Sequence, residues 1–135
     1  MVLTAAYCSL GGGIGTIHDH AKKIELAIQV EDKDVTTYAS LGWKERLGGL
    51  KDGTLSLGLW NDIAASGLDQ NMWANLGTVI GYEVRLTQSA RSTANPAYTG
   101  NVLMKEWKPI QGNVGDVAAA DVSWPTTAAV TRQTS

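Results

Sequence analysis

The sequence predicts a mainly β fold, a sandwich or barrel of about seven strands with one short flanking α-helix. Apolar residues recur at every second position in several separate stretches, which is the period of a half-buried strand. Gly, Pro, Asn and Asp separate those stretches at the intervals small β domains use. A single segment carries helical spacing instead, and it supplies the flanking helix.

Taken in order, residues 1–9 have the composition of a short strand and run into a glycine-rich turn, Gly11-Gly12-Gly13-Ile14-Gly15. Residues 23–30 give the clearest alternation, with Ile24, Leu26, Ile28 and Val30 on one side and Lys23, Glu25 and Gln29 on the other. Glu31-Asp32-Lys33-Asp34 reads as a charged turn. Residues 35–38 have strand composition, and 43–47 continue the sheet after a loop. Gly48-Gly49 reads as a break and Lys51-Asp52-Gly53 as a tight turn. Residues 54–60 alternate again through Leu55, Leu57 and Leu59.

The period then changes. Leu68, Met72 and Leu76 are spaced four apart with Trp73 beside them, as on one helix face. Ser66 or Asp69 is placed to cap the start, and Gly77 to end it. Residues 78–87 form a strand with Ile80, Tyr82, Val84 and Leu86 in phase and Glu83 and Arg85 opposite. Residues 88–98 are small and polar with an Asn95-Pro96 turn signal, so they read as a loop. Strands follow at 101–108, stopped by Pro109, at 117–124, and at 127–132.

Composition narrows the function classes. The 135 residues fit one domain, 1–135, with no internal repeat and no linker. At 44% hydrophobic and 18% charged the chain can bury a core. A net charge of −2 without clustered Lys or Arg gives no phosphate-gripping surface. The lone Cys8 has no internal disulfide partner. No secretory signal and no apolar run of the ~18 residues a bilayer requires is visible, so a soluble protein made in a cytoplasm is expected. Phe is absent while Trp occurs five times, and roughly three of those Trp suit a small β core.

No chemistry-bearing constellation emerges. The glycine cluster imitates a dinucleotide fingerprint, with Glu31 twenty residues beyond Gly11. Thr16 occupies the third glycine position, however, and the next strand begins too soon for a helical crossover, which takes about a dozen residues. His18, Asp19 and His20 offer metal donors, but a third ligand partner is missing and the segment reads as a turn entering a strand. Cys8 and the serines show no nucleophile setting. No catalytic residue, metal site or cofactor is therefore expected, and the chain does not read as an enzyme.

One ordered set of motifs resembles a known family. Residues 43–57, from Trp43-Lys44-Glu45-Arg46 through Gly49-Leu50-Lys51-Asp52-Gly53 to Leu57, look like the charged strand and following alternating strand of siphophage major tail proteins. Asn61-Asp62-Ile63-Ala64-Ala65, Leu68-Asp69, Leu76-Gly77-Thr78 and Tyr82-Glu83-Val84-Arg85 continue the match. The stretch from Ser92-Thr93-Ala94-Asn95-Pro96 to Gly100 resembles the loop before the penultimate hairpin, particularly in actinobacterial phages. Gly112-Asn113-Val114-Gly115-Asp116, Val122-Ser123-Trp124-Pro125 and Thr131-Arg132 agree in order.

That resemblance implies a phage tail tube fold and a structural virion protein. Copies would assemble into rings, usually hexameric, that stack into the tube through which DNA passes without specific binding. The implied partners are the chain itself, the tape measure, tail terminator and distal tail proteins, with no membrane involved. Glu31, Asp32, Lys33, Asp34, Trp43, Lys44, Glu45 and Arg46, in a loop spanning 31–50, are the expected contacts to a neighbouring ring or subunit. Glu25, Gln29, Glu83 and Arg85 are lumen-facing candidates, though Arg85 suits a low-friction wall only where Glu83 or another acid neutralises it. The charge-poor C-terminal strands are expected to be covered by the adjacent subunit. The alternatives are a head decoration or head-tail joining protein, and a small β-sandwich binding module that stacks carbohydrate on exposed Trp.

Overall fold

The alternating stretches form strands that pair into two antiparallel sheets. The computed structural model describes residues 4–61 and 68–134. Among these the order is β1 (Tyr7–Leu10), β2 (Gly15–Thr16), β3 (Ala21–Asp34), a 3-10 turn (Tyr38–Ser40), β4 (Arg46–Trp60), α1 (Leu68–Asn75), β5 (Val79–Arg85), β6 (Ala97–Leu103), β7 (Ala119–Pro125) and β8 (Thr131–Gln133). The larger sheet runs β2-β1-β5-β6-β8 and the smaller β3-β4-β7. The mainly β expectation with one flanking α-helix holds, and the sheets form a sandwich.

The core is the set of inward positions the period of two selects. The larger sheet contributes Cys8, Leu10, Ile80, Tyr82 and Val102, and the smaller Leu55, Leu57, Leu59, Ala120, Val122 and Trp124. Register makes them meet, since Leu55 lies opposite Trp124, Leu57 opposite Val122 and Leu59 opposite Ala120. Each large apolar side chain so buried contributes about 1.5–3 kcal/mol. Met72 of α1 packs into the same cluster, with Met104 and Trp107. A bridge between Val102 and Thr126 ties the two sheets at one corner.

Several boundaries differ from expectation. Glu31-Asp32-Lys33-Asp34 is no turn: it continues β3, and a register shift between Val30 and Asp32 accommodates the bend. Residues 35–38 do not form a strand, because the chain turns over at Tyr38–Ser40 after Val35 N–H donates to the Glu45 carbonyl. Gly48-Gly49 and Lys51-Asp52-Gly53 lie inside β4 rather than ending a strand. Close approach explains both: a Cβ on Gly49 would meet Glu31 Cβ at 3.1 Å, and one on Gly53 would meet Thr126 Cγ2 at 3.0 Å.

The helix lies where its spacing places it and Gly77, at φ +87°, terminates it. Ser66 lies outside the described residues, and the Asp69 carboxylate accepts the Trp107 indole N–H at 2.9 Å. Trp73 is two-thirds exposed and Leu76 more than a third. The strand expected at 101–108 ends at Leu103, because the chain departs there to run along β7. Of the five Trp, only Trp107 and Trp124 are buried, against an expected three.

Two outcomes test this core. Leu57→Ala should lower the unfolding free energy by about 2–5 kcal/mol, read from the denaturant midpoint. Burial pushes the Cys8 thiol from 9.0 up to about 12. The unfolded thiol ionises above pH 9 while the folded one stays neutral. Cys8 should therefore leave stability unchanged below pH 9 and erode it progressively as pH rises toward 12. At pH 8 a thiol reagent should label the chain only after denaturation.

Candidate assembly surfaces

The features that set this sandwich apart are surfaces that no other part of the chain covers among the described residues. β7 pairs with β4 only from Thr54 to Trp60, so the β3–β4 ladder beyond Gly53 projects as a two-stranded arm. Ladder bonds and the cross-strand pair of Asp32 with Arg46 at 3.1 Å hold it, while Glu31 pairs with Lys33 along β3 at 3.4 Å. Thr36 bonding, side chain first and backbone second, holds the Asp34 carboxyl below its usual range. At the tip Thr37 N–H donates to Ser40 Oγ, and Leu41 takes a left-handed backbone at φ +53°. An isolated two-stranded ribbon is marginal in water, yet this one exposes Val30, Leu47 and Leu50, and at its tip Tyr38, Leu41 and Trp43.

All eight expected contact residues, Glu31, Asp32, Lys33, Asp34, Trp43, Lys44, Glu45 and Arg46, lie on this arm or its tip and are exposed. The segment 31–50 is therefore a hairpin of paired strands and a short tip, not a loop. Sequence reasoning missed Leu41 and Tyr38 at the tip.

The sheet edges are unequal. In an antiparallel ladder each residue points both backbone groups to one neighbour, alternating along the strand. Trp60 N–H bonds the His20 carbonyl and Thr126 N–H bonds the Gly53 carbonyl. Thr54, Ser56 and Gly58 consequently face β3. Their partners on β3 are Ala27, Glu25 and Lys23, so the alternate residues Ile24, Leu26 and Ile28 aim their backbone groups away from β4, where no strand pairs among the described residues.

The outer edge of β7 is sealed instead. Ser123 N–H donates to Glu106 Oε1 at 2.8 Å, Asp121 N–H to Gln111 Oε1 at 2.9 Å, and Ala119 N–H to the Gln111 carbonyl at 3.4 Å. Cover for this charge-poor strand thus comes from its own chain along that edge. Beside the open β3 edge, Ile24, Leu26, Ile28, Val84, Leu86 and Tyr98 line an apolar groove of about 360 Å³.

The four lumen candidates do not share a face. Glu25 and Gln29 alternate with Leu26 and Ile28 on the outer side of the smaller sheet, and Glu83 and Arg85 lie on the outer side of the larger one. Glu83 does not neutralise Arg85. It pairs with Arg91, whose Nε donates at 3.0 Å, while the Arg85 guanidinium stacks 3.9 Å from the Tyr7 ring centre. Arg85 Nε is buried without a partner.

Among the described residues no group of three or more His, Cys, Asp or Glu has metal-holding geometry, and no helix is long and apolar enough to cross a membrane. His18 instead packs its ring 5.2 Å from Tyr7. Glu106→Ala should cost about 1–3 kcal/mol, because Ser123 N–H loses a charged acceptor. Thermal denaturation against wild type checks this.

No protein-family model matches the chain, and no curated protein matches it in sequence. Solved structures do share its architecture. A chain of the virion of a native gene transfer agent particle superposes with a TM-score of 0.72 at 16% identity, covering 93% of this chain and 95% of that one. A chain of the tail of an empty gene transfer agent particle, refined helically with C6 symmetry, gives 0.65 at 16% identity over 83% and 81%. At this identity the likeness establishes the fold: the chain has the mainly β, two-sheet architecture found in those particles.

Proposed function

We propose that the chain is a non-enzymatic structural subunit of a phage-type tail, a single tail tube domain that stacks in rings around a DNA channel. The arm carries this reading. A free-standing ribbon with exposed apolar residues on both strands and three at its tip needs a second surface, and a repeating assembly supplies one in every copy. The open backbone groups of Ile24, Leu26 and Ile28 support lateral strand pairing, which removes an edge prone to uncontrolled association. The gene transfer agent tail with C6 symmetry supports a hexameric ring. A net charge of −2 suits passage of DNA without a phosphate grip.

The motif resemblance favours a siphophage tube of the actinobacterial type, located in the virion and made in the host cytoplasm. Tape measure, tail terminator and distal tail proteins would be its partners. Negative-stain electron microscopy of the purified chain over rising concentration tests the proposal. Stacked rings or hollow tubes are expected, whereas closed trimers that bind empty capsids would favour a decoration protein. Trp43→Asp should reduce pelletable assembly at least tenfold while shifting stability by no more than about 0.5 kcal/mol, since Trp43 is exposed in the subunit.

A further inference from the structure

A second apolar surface lies at the opposite end of the strand that carries the arm. β4 begins beside the tip at Arg46 and ends at Trp60, 15 residues or roughly 50 Å later. At that far end Asn61 N–H bonds the Ala118 carbonyl and Asn61 Nδ2 bonds the Pro109 carbonyl, so the segment 109–118 is fastened beside Trp60. This segment exposes Ile110 and Val114 as fully as an extended chain would, at 94% and 107%, and Val117 by two-thirds. Trp60 and Val117 share a groove of about 320 Å³, and Lys22 Nζ sits 4.6 Å from the Trp60 ring centre.

We infer that this pole, Trp60 with the 109–118 segment, is the seat for the arm tip of a second copy. The inference rests on the stacking reading and names the acceptor that reading lacks. Tip and pole both expose large apolar side chains, those at the pole set among Lys22, Gln111, Asp116 and Asp121, and the two are separated by the length of β4. Such unlike patches at opposite ends of one molecule make a head-to-tail contact that repeats without closing on itself. Charge agrees as well. Lys44 at the tip and Asp116 at the pole are exposed, opposite in sign and without an ion-pair partner among the described residues, the Asp116 carboxylate accepting only the Asn113 N–H at 3.0 Å. Leu41 completes the fit, because its left-handed backbone holds a large apolar side chain out at the tip, 86% exposed.

The test pairs Leu41→Cys with Val117→Cys in the full chain, leaving the buried Cys8 in place. Oxidation of assembled double variant should give a ladder of covalent dimers, trimers and longer chains, and either single variant should give no ladder. Val117→Asp should abolish tube growth while single rings persist and circular dichroism stays unchanged. Lys44→Asp combined with Asp116→Lys should recover assembly that each reversal alone weakens. Tubes from Val117→Asp at wild-type yield, with no ladder from the double cysteine variant, would overturn the seat and leave stacking intact. A wild-type chain that forms neither rings nor tubes at any concentration would overturn both.

Discussion

The β3–β4 ladder sets the terms for everything else in this molecule. Its sandwich half is covered on the inner face by a second sheet and sealed along β7 by Glu106 and Gln111. Its outer half keeps the same backbone pairing but has no such cover among the described residues. Backbone hydrogen bonds alone contribute little net stability because water competes for the same groups. The arm therefore keeps its shape through continuity with a rigid sheet, while its apolar side chains stay exposed.

The rest of the fold is arranged so that this asymmetry survives. Leu55, Leu57 and Leu59 anchor the far half of β4 against Trp124, Val122 and Ala120, so the projecting half is held as a lever by a well-packed base. β7 stops at Pro125, and its chain crosses to the other sheet through Thr126 and Thr127 instead of following β4 outward. One edge of the smaller sheet is closed by side chains and the other, on β3, pairs with no strand among the described residues and lies beside an apolar groove. A subunit built to remain alone would be expected to blunt such an edge.

Much of this was legible in the sequence where one face of a strand is wet and the other dry. Residues 54–60 alternate cleanly for that reason, as do 23–30 and 80–86. Glu31-Asp32-Lys33-Asp34 carries no alternation because both faces of the arm are exposed, so a period of two has nothing to report. Gly48, Gly49 and Gly53 look like turn glycines, yet Gly49 and Gly53 answer to the close approach of Glu31, Lys33 and Thr126. Met104 and Trp107 resemble strand residues because they are apolar and buried, though they plug the core after β6 has ended. The pairing of Glu83 with Arg91 rather than Arg85 depends on where 88–96 folds back, which local pattern does not reveal. The eight arm residues stand out in the sequence as part of a long, charged stretch capped by Trp43, whereas the exposed tip and pole depend on how the chain folds.

Hydrogen exchange of the arm amides, compared between dilute and assembled protein, tests the central claim that another copy covers the arm. The account predicts that amides across 28–52 gain at least tenfold protection on assembly, while those of Leu55, Leu57 and Leu59 stay equally slow in both states. Arm amides that exchange at the same rate in an assembled particle as in the dilute subunit would contradict it.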